Sequence, residues 1–100
     1  MLRAAIFAEI LSSVSSETEV PEAVIASRNK CTEAVDARYL LVYFLSKKGF
    51  YPSMIAPFIN HQKRSVSRML ADFEHRLSIS PFMRMCFERL KSQGGGVITV

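Results

Sequence analysis

The chain has 100 residues, 49% of them hydrophobic and 22% charged, with a net charge of +4 and no tryptophan. That length is one domain with a core large enough to fold unaided, and the composition is globular. Only four glycines occur, three of them consecutive at Gly94 to Gly96, which favours helices over a turn-rich β protein.

The first helix is expected over residues 2–14, where Leu2, Ile6, Phe7, Ile10, Leu11 and Val14 recur at helical spacing. Glu9 interrupts this run, which suits an amphipathic helix better than a signal peptide. The serine-rich "SSVSSETE" is expected to end it. "VPEAVIA" reads as a short helical turn with Pro21 at a permissive first position. "SRNKCTE" is a polar, basic loop.

A long helix is expected from Thr32, a candidate N-cap, to Lys47 or Lys48. Its middle, "YLLVYFL", is apolar nearly all round, which marks a buried central helix. The two lysines and Gly49 suit its end. "FYPSMIAPFI" suggests a short helix with Ser53 as N-cap, in which Pro57 is tolerable only near the first turn.

After a turn near Asn60, residues 62–77 place Val66, Met69, Leu70, Phe73 and Leu77 on one face. The opposite face carries Arg64, Ser65, Ser67, Arg68, Asp72, His75 and Arg76. "SISP" stops that helix, and Ser80-Pro81 opens another over 81–91. Phe82, Met85, Cys86 and Arg89 or Leu90 are its expected inward positions. "SQGGGVITV" reads as a flexible tail.

Charge is unevenly spread. Residues 1–27 carry one basic and four acidic side chains, whereas residues 28–91 carry twelve basic and five acidic ones. A folded segment with a positive face points to nucleic acid or an anionic surface. Cys31 and Cys86 lie far apart without CxxC or CxxH context, so they read as reduced thiols of a cytosolic protein. His61 and His75 have no second metal-ligand candidate at helical spacing. Neither a metal nor a cofactor is expected, and no segment is long enough to span a membrane. Paired carboxylates and a phosphate loop are also missing, so enzymatic catalysis is not expected.

The short helix, the turn and the longer amphipathic helix together match a helix-turn-helix. The leading turn of the second helix, His61-Gln62-Lys63-Arg64, is basic where a helix N-terminus ordinarily prefers acids. In the major groove, however, such a turn leads, and long polar and basic side chains there match base edges and phosphates.

These features resemble the C-terminal DNA-binding domain (domain IV) of the bacterial replication initiator DnaA, within the wider Trp-repressor-like helix-turn-helix group. The similarity runs over about residues 6–78. It rests on "IFAEILSSV", "VPEAVI", the basic loop "SRNK", the pair Ala37-Arg38 opening an apolar helix with Tyr43, and "FYPSMIAPFINHQKRSVSRML". The turn is one residue shorter than the commonest family version. The family's base-reading "R-D-H-T-T" corresponds here to His61-Gln62-Lys63-Arg64-Ser65, so the family's target box is not expected to carry over. No GxxxxGK[ST] occurs, which excludes an initiator ATPase within this chain.

The resemblance implies that Arg28 and Lys30 reach a neighbouring minor groove and that Arg38 binds backbone phosphate. Arg38 could instead pair with Asp36 or Glu33. From the residues themselves, Arg64, Gln62 and His61 are the expected base readers, while Lys63, Ser65 and Arg68 serve bases or phosphates.

The expected protein is therefore all-α, a compact multi-helix bundle containing a helix-turn-helix over residues 1–92, with a tail over 93–100. Its expected partner is double-stranded DNA, in the cytoplasm or on the nucleoid, as an accessory factor in replication, transcription or mobile-element biology. Whether two copies act together is left open. The rival is a protein-interaction module that reuses the fold.

Overall fold

The apolar run from Tyr39 to Leu45 decides the architecture, because a helix apolar all round must be surrounded. The computed structural model describes residues 2–92, which form an all-α bundle without strands. The helices are α1 (Arg3–Thr18), α2 (Glu22–Ile25), α3 (Thr32–Lys47), α4 (Pro52–Ile59), α5 (Lys63–Ile79) and α6 (Pro81–Ser92). The other five all pack on α3. Leu40, Leu41, Val42 and Leu45 are fully buried along it. Gly49, at φ +97°, lets the chain turn away after α3. There the Phe50 amide reaches back to the Leu45 carbonyl at 3.1 Å. The expected tail over 93–100 lies outside the described residues.

Helix α1 runs four residues further than its apolar stripe suggested. The serines and threonine do not end it, because their hydroxyls bond within or just beyond the helix instead of competing with it. Thr18 Oγ1 donates to the Val14 carbonyl at 2.7 Å, and Ser15 Oγ donates to the Val20 carbonyl at 2.6 Å. The helix stops at Glu19, which is left-handed at φ 60°. Ile10, Leu11 and Val14 are buried as expected, but Leu2 lies outside at 75% exposure.

Helices α4 and α5 are joined by Asn60, His61 and Gln62. Asn60 is left-handed at φ 58°, a conformation that asparagine tolerates better than most residues. The expected cap Ser53 is inside α4; Tyr51 is the N-cap and Pro52 occupies the first helical position. Pro57 sits in the second turn, on the exposed side. Along α5, Val66 and Phe73 are buried, and Met69, Leu70 and Leu77 pack against the core, as their spacing predicts. Phe73 stacks on Tyr43 with ring centroids 4.2 Å apart.

Helix α6 starts where expected. Ser80 caps it, with its Oγ accepting the Met83 amide at 3.1 Å. Its buried side is Met83, Cys86, Phe87 and Leu90. Met85 and Arg89 are exposed, so the helix is rolled by about one residue from the expected face. Phe87 explains the roll: it sits edge-on to Tyr43 and Phe73 and completes an aromatic cluster with Phe44.

The same Ser80 hydroxyl donates to Asp36 Oδ2 at 3.0 Å, while Arg76 Nε donates to Asp36 Oδ1 at 2.6 Å. The Asp36 side chain is 2% exposed, so its charge depends on these two donors. Removing one member of a buried pair leaves the other uncompensated. Because Arg76 keeps some solvent access, Asp36→Ala is expected to cost about 3 kcal/mol, read as a lowered urea midpoint.

Candidate functional site

The leading end of α5 projects from the body. Gln62, Lys63, Arg64, Ser67 and Arg68 are exposed, while His61 and Ser65 are half-buried at its root. Two anchors explain this: Val66 is fully buried one turn in, and Phe73 two turns further on. The first turn of α5 contains no acidic residue, and no side chain caps it. Its free amides and its basic side chains therefore add to one positive field.

His61 is held from behind. Its Nδ1 lies 2.7 Å from the Ile59 carbonyl, an acceptor only, so Nδ1 carries the proton. In the neutral ring Nε2 is then the acceptor.

The basic loop comes to the same place. A cleft of about 460 Å³ is lined by Arg28, Lys30, Thr32, Val35, Arg38, His61, Ser65 and Arg76. Five of the nine residues expected to contact DNA, namely Arg28, Lys30, Arg38, His61 and Ser65, thus border one cavity. The other four, Gln62, Lys63, Arg64 and Arg68, belong to the exposed end of α5. No acidic side chain among the described residues lines the cleft. Such a surface attracts an anion.

Arg38, expected at a phosphate or in an ion pair, borders the cleft from the interior. It is 3% exposed and pairs with neither Asp36 nor Glu33. Its guanidinium instead donates to three backbone carbonyls: Nε to Ile25 at 2.9 Å, and Nη2 to Val24 at 3.2 Å and Asn29 at 2.9 Å. Burial holds its pKa below the ordinary arginine value, and the neighbouring Cys31 works in the opposite direction.

In the sequence Arg76 is one polar residue among several on the outer face of α5. It follows Ser65 by about three helical turns, so both lie along one line of that helix. That spacing was the available signal, but the partner Asp36, forty positions away, was invisible to it. Arg76 also lies over the Tyr39 ring, 5.0 Å from its centroid.

No three His, Cys, Asp or Glu side chains gather to hold a metal ion among the described residues. Nor is any helix there long and apolar enough to cross a membrane. Comparison with protein-family models, curated proteins and solved structures finds no match to this chain.

Beside the cleft, Tyr39 donates to Asp72 Oδ2 at 3.3 Å. Burial first, and then the Asp72 charge, raise the Tyr39 phenol above its ordinary 10.0. Burial, then Glu17, raise the Cys86 thiol above 9.0. The fold holds both groups neutral, whereas the unfolded chain ionises them at ordinary values. Their contribution is thus complete below the unfolded pKa and is lost as pH rises through the folded one. The urea midpoint is expected to stay level from about pH 7 to 8 and to fall above about pH 9. Tyr39→Phe should flatten part of that fall.

Proposed function

We propose that the chain binds double-stranded DNA, with α4 and α5 acting as a helix-turn-helix and the leading end of α5 entering the major groove. The observation that carries this reading is the exposed, acid-free basic end of α5 joined to the cationic cleft. A groove between two phosphate ridges offers negative charge on both sides of an entering helix. The exposed arginines, lysine and glutamine supply donors of the length and geometry that base edges and phosphates accept.

The division of labour follows from position. Arg64, Gln62 and His61 read bases. Lys63, Ser65 and Arg68 serve bases or backbone. Arg28 and Lys30 extend the contact from the cleft's far wall towards the adjoining groove. The similarity to DnaA domain IV supports the docking mode and leaves the target sequence open. The chain would then serve as a DNA-bound accessory factor in replication, transcription or mobile-element biology.

Selection of bound duplexes from a random pool, followed by mobility-shift titration across salt concentrations, tests the reading. Binding should weaken linearly in log salt, because each neutralised phosphate releases counterions. Arg64→Ala should cost about 1–3 kcal/mol and relax preference at one base position, whereas Lys63→Ala should weaken all duplexes alike. No salt-dependent duplex binding, together with tight binding to an acidic protein surface, would overturn the proposal in favour of an interaction module.

A further inference from the structure

We infer that Arg38 is a positioning residue: it fastens the basic loop so that Arg28 and Lys30 face the cleft, and it is not itself a phosphate ligand. The loop, residues 26–31, follows the single-turn helix α2. That helix ends with unsatisfied carbonyls, as every helix does. Arg38 takes the Ile25 carbonyl, shares the Val24 carbonyl with Ser27, and also holds the Asn29 carbonyl beyond. One planar group therefore ties the loop's beginning to its far end.

Short bonds stiffen the segment between. Ser27 Oγ donates to the Val24 carbonyl at 2.6 Å and accepts the Asn29 amide at 3.1 Å. Asn29 Oδ1 accepts the Cys31 amide at 2.9 Å, at the entry to α3. With the Asn29 carbonyl turned inward to Arg38, the residues on either side, Arg28 and Lys30, are exposed.

Only arginine fits this task. It has donors spread across a rigid plane, whereas lysine concentrates three on one nitrogen. The Arg38 charge persists despite burial, and carbonyl oxygens rather than a carboxylate offset it. Arg38 also borders the cleft, so the rival is that it binds phosphate directly.

The loop's effect on affinity rests on the duplex-binding reading, whereas the fastening does not. Side-chain nitrogen NMR of the full chain separates the two. In the free protein the Arg38 Nε–H signal should exchange slowly, as should the Cys31 amide. Fast exchange of both would overturn the inference whatever the protein binds. On adding a selected duplex, the Arg64 signal should shift and the Arg38 signal should not; a comparable Arg38 shift would also overturn it.

A double-mutant cycle gives the functional measure. Arg28→Ala should weaken duplex binding about tenfold in the native background and less than about twofold beside Arg38→Lys, since an unfastened loop has already lost the contact. Full additivity would mean that the two act separately and would sink the inference. If Arg38→Lys does not fold, the measurements on the native chain decide. If the native chain binds no duplex, the exchange rates still do.

Discussion

Asp36 is a carboxylate inside the bundle, and three helices are arranged around it. It sits on α3, receives Arg76 from α5, and receives the hydroxyl that also caps α6. A buried charge tolerates little displacement of its donors, because each lost bond exposes an uncompensated desolvation cost. The apolar contacts alone would accept small rolls and slides of α5 and α6. The Asp36 bonds make one arrangement preferable. The aromatic cluster of Tyr43, Phe44, Phe73 and Phe87 then fills the space beneath that arrangement.

The two arginines at the cleft divide the same chemistry differently. Arg76 meets a carboxylate and Arg38 meets carbonyls, and in each case the interior supplies what solvent would have supplied. Both are therefore largely occupied. Arg64 and Arg68, with Lys63, remain at the surface, where their charge is unspent. Cost and use are separated in this way: partnered cations hold the scaffold, and exposed cations are available to a partner.

The sequence showed the elements clearly where periodicity was strong. The stripe of α5 and the enclosure of α3 both followed from apolar spacing, and the basic end of α5 was conspicuous because it violates the dipole preference. Elements decided by local hydroxyl bonding were less visible. Ser15 and Thr18 extend α1 because their partners happen to lie within or just past the helix, which composition does not reveal. The inward face of α6 depended on where Tyr43 and Phe73 left room for Phe87. Arg38 carried the same ambiguity: an "A-R" pair is a surface feature or an interior one according to which carbonyls the fold presents.

The corner between α4 and α5 has a further consequence. The amides of Asn60 and His61 both point at the Ala56 carbonyl, and the His61 ring grips Ile59. These three bonds fasten the turn to the end of α4, so the course on which α5 leaves is set by the turn itself as well as by the apolar packing behind it. A partner bound at this corner would therefore meet the end of α4 and the start of α5 as one contoured surface.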